Sequence, residues 1–240
     1  MSFQTTVRYD KTYGVPGEIV KDGLHLAETA MLNSANAAYN IIGATAFSQP
    51  VAGGGVAAGG TGAYFGILAN PKTQASYGTL AGGALAATMT LANNVTASFV
   101  RRTAGIVVTL ANACNIGDRL TFNTTTGALG SVSPSSAFTG VIAATTGVLT
   151  VSAVGTTGNI GIGSVINDAN GNILGTVTSL GSGTGGNGTY NLTGAAAAGV
   201  ASSAMTAVSV APTGNAFVPG RAFIIEFANA SAGLAVAELA

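Results

Sequence analysis

The sequence predicts an all-β protein, with a jelly-roll-like or β-barrel core that carries a small inserted β-hairpin or meander domain. Three observations support this. Short runs of β-branched, aliphatic or aromatic residues recur between turn residues. Gly supplies 36 of the 240 residues, and Asn170-Gly171 and Asn187-Gly188 offer the positive φ angles that tight hairpin turns require. The best helix candidate, residues 33–39, is a single short stretch in which Ser34 is placed to cap the first turn.

Along the chain, the Gly-rich residues 51–62 have no periodicity and read as a flexible surface loop between extended pieces. Strands are expected at Tyr64 to Ala69, Ile106 to Leu110, Arg119 to Phe122 and Ala128 to Val132. Five more follow at Val148 to Val154, Ile160 to Ile166, Ile173 to Ser179, Thr189 to Thr193 and Met205 to Val210. Tight turns join these five, so the stretch reads as a self-contained meander of hairpins. Ala222 to Phe227 and Gly233 to Leu239 close the chain around a turn at Ala228 to Ala232. In the last strand Leu234, Val236 and Glu238 share one face, and Ala235, Ala237 and Leu239 the other. The expected division is a core of residues 1–137 plus 208–240, interrupted by a module of residues 138–207.

Composition excludes several function classes. Charged residues make up 7% of the chain, against about 25% in ordinary globular domains, and 48% are hydrophobic. With 8 basic and 8 acidic residues and a mean hydropathy of +0.50, disorder is excluded. Nucleic acid is not an expected partner, because phosphate neutralisation needs clustered Lys and Arg, and Arg101-Arg102 is the single adjacent basic pair. The opening residues mix charges where a secretory leader would start basic and turn apolar, so no export signal is read there. From Ala169 to Gly220 no side chain is charged, yet Gly, Asn, Ser and Thr break every apolar run well short of the ~20 residues a spanning helix needs. A membrane barrel would carry aromatic girdles, whereas this chain has no Trp and 6 Tyr. No membrane partner is expected.

The residues that could carry chemistry are few. Cys114 is the sole cysteine, so packing rather than a disulfide must hold the fold, and its thiol reads as a small buried hydrophobe. His25 is the sole histidine. Asp22 and Glu28 flank it in sequence, but a solvated charged face accounts for all three, and no catalytic role is assigned. The tracts Gly53 to Ala58 and Gly181 to Gly186 imitate phosphate-binding loops without the strand, helix and downstream acid such a site needs, and both read as turns. Asp168 to Asn172 imitates a calcium loop without its bidentate Glu and reads as a hairpin turn. No catalytic, cofactor-binding or metal-ligating residue is therefore expected, and no cofactor.

Several runs, in order, resemble a known family. Met1-Ser-Phe-Gln-Thr-Thr-Val7, Tyr13-Gly-Val-Pro-Gly-Glu18, Leu32 to Gly43, Phe65 to Lys72, Ile116 to Leu129 and the closing Gly233 to Leu239 are similar to the phage capsid cement, or decoration, proteins. The resemblance covers residues 1 to about 137 and about 208 to 240, and implies a β-barrel or jelly-roll-like core without cofactor or catalysis. Gly147 to Val154 and Gly188 to Thr193 resemble a β-rich module that recurs in phage structural proteins. The implied function is a structural virion protein of a bacteriophage, made in the host cytoplasm. It would bind the outer surface of an icosahedral head and stabilise contacts between major capsid protein subunits. The implied partners are the major capsid protein and the chain itself, as a dimer or trimer at local symmetry axes. The alternative is a phage tail, fibre or glycan-binding adhesin module, which residues 138–209 support poorly, since Tyr190 and Asp168 are their sole aromatic platform and acid among Phe, Trp, Tyr, Asp and Glu beyond Phe138. The segment Arg8 to Leu32 combines clustered charge with Gly and Pro, and is the expected shell-facing arm, removable without unfolding.

Overall fold

The computed structural model describes residues 14–50, 54–70, 89–154, 158–193 and 199–240. The first part of the chain forms β1 (Leu26–Met31), a 3-10 turn (Ala37–Tyr39), β2 (Ala46–Gln49), β3 (Ala57–Ala58), β4 (Ala63–Leu68), β5 (Thr96–Leu110), β6 (Arg119–Asn123) and β7 (Leu129–Val132). There follow β8 (Ser135–Ile142), β9 (Val148–Val154), β10 (Val165–Asp168), β11 (Ile173–Leu180), β12 (Gly188–Thr193) and β13 (Val200–Val208). The chain ends with β14 (Asn215–Phe217), β15 (Ala222–Glu226) and β16 (Gly233–Leu239). The fold is all-β, as the sequence predicts.

A curled 10-stranded sheet runs β14-β6-β15-β16-β5-β4-β2-β3, with β1 added to β5 and β7 to β6. Its axis is β5, whose 15 residues pair with β1 and β4 in the first half and with β16 in the second. Side chains alternate across a strand, and here both faces are buried. Ala46, Ile67 and Val100 enter one apolar cluster with Ile106, Leu120, Leu129 and Ile224, while their neighbours Phe47, Leu68 and Phe99 enter another with Leu32 and Val56. A strand buried on both faces reads as a continuous apolar run rather than an alternation, which is why Phe65 to Ala69 has the composition it has. In the second cluster the Phe99 ring meets Phe47 at 5.0 Å and Phe65 at 5.3 Å, both edge-on. In β16, Ala235, Ala237 and Leu239 face the first cluster, as the alternation predicts.

Two stretches before β4 depart from expectation. The helix expected over residues 33–39 is one 3-10 turn, capped by Asn36, whose side chain accepts from the Ala38 N–H. Ser34 is instead buried. Its hydroxyl donates to Asn40 Oδ1 at 2.6 Å and accepts from the Ala58 N–H at 2.9 Å, while Asn40 Nδ2 donates to Leu91 O and Asn93 Oδ1. A buried amide with all these partners satisfied fixes three loops together, which outweighs helix formation by a short Ala-rich stretch. The second correction concerns residues 51–62. Residues 51–53 lie outside the described residues, but Val56 is fully buried and Ala57–Ala58 pair with β2. This is packed structure rather than a surface loop.

β8 to β13 form a closed barrel in the order β10-β11-β12-β9-β8-β13. Phe138, Ile142, Leu149, Val151, Ile166, Val177, Tyr190 and Met205 fill it, and Ile160 joins them from the β9–β10 connection rather than from a strand. The strand expected at Ile160 to Ile166 is displaced toward the C-terminus and runs over Val165–Asp168. The meander is also incomplete as a description, because β9 pairs with β12 and β13 joins β8 to β10, which closes the sheet and removes its edges. The strand β8 begins at Ser135, ahead of the expected boundary.

Candidate interaction surface

The segment that leads into β1 is locked to the sheet over residues 17–20 and exposed thereafter. Gly17 N–H donates to Val107 O at 2.8 Å, Val107 N–H donates to Glu18 O at 2.9 Å, and Val20 N–H donates to Gly105 O at 3.0 Å. Gly43 allows this approach, since a Cβ there would lie 2.2 Å from Gly17 N. The Lys21 stem lies over Gly105 and its ammonium meets Glu226 at 2.7 Å. From Asp22 to Ala27 every residue is exposed, with Leu24 at 82% and Leu26 at 44%. The chain then enters β1, where Met31 is 46% exposed and Leu32 is fully buried.

Charge around this strip is balanced. Arg101 Nη1 meets Glu28 Oε1 at 2.9 Å on the surface, a pair worth about 0–1 kcal/mol at most. Arg102, Asp22 and His25 are exposed nearby in the chain. Glu28 is thereby engaged by Arg101, and Asp22, His25 and Glu28 form no metal-holding group; among the described residues no three of His, Cys, Asp and Glu do.

The remaining sequence candidates are structural. Cys114 is buried, with its thiol directed at Phe227 O. Asp168 takes hydrogen bonds from the Asn172 side chain, the Asn172 N–H and the Asn170 N–H, which hold its carboxyl below the usual carboxylate range and close the β10–β11 turn. The Gly181 to Gly188 tract wraps the buried Tyr190 ring. Its hydroxyl donates to Gly186 O at 2.6 Å and accepts from the Gly185 N–H at 3.2 Å, and a Cβ on Gly183 would sit 2.2 Å from the ring. These glycines make room for a tyrosine. Burial pushes the Asp118 carboxyl up, partly offset by hydrogen bonds from the Asn115 N–H and the Ser131 hydroxyl. Two hollows, about 150 Å³ beside Ile41 and Leu129 and about 210 Å³ beside Ile162 and Leu180, fall short of the ~300–1,000 Å³ of small-molecule pockets.

The structural cement protein family (E217 gp24/Pam3 gp6) matches the chain over residues 3–163. The chain belongs to this family. Its members are structural proteins of the bacteriophage virion, and the cement protein described here is accordingly a capsid-associated structural protein. The matched stretch runs from residue 3 through β1 to β9 and most of the β9–β10 connection, reaching past residue 137, where the resemblance read from sequence pauses. No curated protein matches the chain.

Sequence reasoning missed the short strands β2, β3 and β14 and two longer ones, β1 and β8. Strand β1 reads Leu-Ala-Glu-Thr-Ala-Met, where small and polar residues hide the strand. Strand β8 buries Ser136, Phe138, Gly140 and Ile142 on one face, a period of two written half in Ser and Gly.

Proposed function

We propose that this cement protein binds the outer surface of an icosahedral phage head, contacts the major capsid protein and ties neighbouring subunits together, without catalysing a reaction. The observation that carries the reading is the exposed run from Asp22 to Ala27 with its leucines Leu24 and Leu26, held on a segment whose preceding residues are clamped to β5. Solvent-facing leucines on a rigid support lose little entropy on docking, so their burial goes into affinity. Anything that binds the assembled shell and not its separated subunits stabilises the shell by mass action, and bridging two subunits multiplies each weak contact.

The barrel of β8 to β13 is proposed to be a separately folding insert. Its first and last strands pair with each other, and Ser209 N–H donates to Pro134 O, so its entry and exit are neighbours. Such an insert imposes little closure entropy on its host.

Quantifying the protein in purified virions tests the reading. A copy number comparable to that of the major capsid protein supports it, and a handful of copies would favour the tail or fibre alternative. Virions stripped of the protein are expected to lose resistance to heat and osmotic shock; full resistance would overturn the proposal. Because attachment rests on apolar and backbone contacts, occupancy should change little up to about 1 M NaCl.

A further inference from the structure

Among the described residues, the outer edge of β1 from Ala27 to Thr29 is open. The one strand partner of β1 among them is β5, with Glu28 opposite Phe99, Thr29 opposite Ser98 and Ala30 opposite Ala97. Leu32 N–H donates to Val95 O and Leu32 O accepts from the Asn94 N–H, so Leu32 turns its backbone groups toward β5. Met31 O accepts from the Val56 N–H on the other side. Alternate residues of a strand direct their amide groups to opposite edges, which sends those of Ala30 and Glu28 into the ladder with β5 and those of Thr29 and Ala27 outward. Natural sheets blunt such edges with Lys, Pro or an inward charge. None occurs at the outward positions, and the charge of Glu28 is engaged by Arg101.

Resting on the capsid reading above, we propose that this edge is the recognition element, and that an extended segment of the major capsid protein adds to it as a further strand, pairing with the backbone of Ala27 and Thr29. The area available favours the shell over a second copy. A six-residue strand is about 20 Å long, and pairing along it covers on the order of 200–300 Å² per partner, against the ~800 Å² that a stable two-body complex needs. A shell supplies what is missing through Leu24 and Leu26 and through engagement of two subunits at once. Backbone pairing also suits a surface with few charges, since it needs none.

The test is amide hydrogen exchange, read by mass spectrometry, on the full-length protein free and bound to shells assembled from the major capsid protein. The amides of Ala27 and Thr29 should exchange freely in the unbound protein and at least tenfold more slowly on the shell. Unchanged exchange at both positions while the protein is demonstrably bound would overturn strand addition and leave the capsid reading standing. Failure of the unaltered protein to bind shells would overturn that reading and this one together. Protection already present in the free protein would assign the edge to the chain itself, or to a second copy if the mass is that of a dimer, and overturns the proposal in either case. In parallel, Thr29→Pro removes an outward N–H and should lower shell occupancy at least tenfold while the thermal unfolding of the free protein is kept. Ala30→Pro, whose N–H faces β5, should instead lower the unfolding temperature. Full occupancy of Thr29→Pro shells would likewise overturn the proposal.

Discussion

Replacing Leu24 with Ser should weaken attachment to the capsid without touching the fold. Full burial of a leucine side chain is worth about 1.5–3 kcal/mol. Leu24 is 82% exposed in the free protein, so burying it at the shell would contribute about 1.2–2.5 kcal/mol, or roughly 8- to 70-fold in the dissociation constant of a single contact. The same exposure means that the substitution removes almost no buried area from the folded chain, and its unfolding free energy should move by less than about 0.5 kcal/mol. Two measurements separate the effects: co-sedimentation with shells over a concentration series, and urea unfolding of the free protein. A second substitution, Leu26→Ser, should act in the same direction with about half the effect, since Leu26 is 44% exposed. If Leu24→Ser bound within twofold of the unaltered protein, the exposed run from Asp22 to Ala27 would not be the contact. If it unfolded more easily, Leu24 would be packed against residues of its own chain, and the separation of docking from folding would be wrong. Removing the whole segment is a poorer test, because Gly17, Glu18 and Val20 are bonded to β5 and Leu32 is fully buried; such a deletion should unfold the core rather than release an arm.

Three further outcomes follow from the structure. Gly183→Ala places a methyl 2.2 Å from the Tyr190 ring and should destabilise the barrel by about 1–3 kcal/mol, measured by urea unfolding; unchanged stability would mean that the Gly181 to Gly188 tract does not grip the ring. Thr145, a β-branched residue at φ 66° in the β8–β9 turn, bears left-handed strain that Asn tolerates, so Thr145→Asn should raise stability by about 0.5–1 kcal/mol and the melting temperature with it. Asp118 has its carboxyl pushed up by burial, so the folded chain holds that proton more tightly than the unfolded one; this contribution is fully present below the unfolded pKa and is lost as pH rises through the folded pKa. Asp118→Asn should therefore flatten the decline in urea midpoint as pH rises from about 4, and an unaltered decline would locate its source elsewhere.

Much of the fold is legible in the residues themselves. The strands at Arg119–Asn123, Val148–Val154 and Gly233–Leu239 lie where β-branched runs and turn residues put them, because those signals act over a few bonds. What could not be read was β8, whose inward face is half Ser and Gly, or the single turn at Ala37–Tyr39, where helix propensity yields to the buried Ser34 and Asn40 hydrogen bonds. The sequence marks Arg8 to Leu32 by its clustered charge, whereas the exposure of Leu24 and Leu26 is visible only in the structure.

By itself, the sequence determined the all-β class, most strand positions, the turns and the resemblance to the cement family. Tertiary structure alone decided that β8 to β13 close into a barrel, that β2, β4 and β5 are buried on both faces, and that residues 17–20 are stitched to β5 while Leu24 stays in water. The reason is one of range. Turn and strand preferences are written in neighbouring residues, whereas closure, two-sided burial and an open edge depend on which distant strand takes each backbone hydrogen bond, and side chains as small as Ala, Gly, Ser and Thr give too little contrast in hydrophobicity to announce that choice.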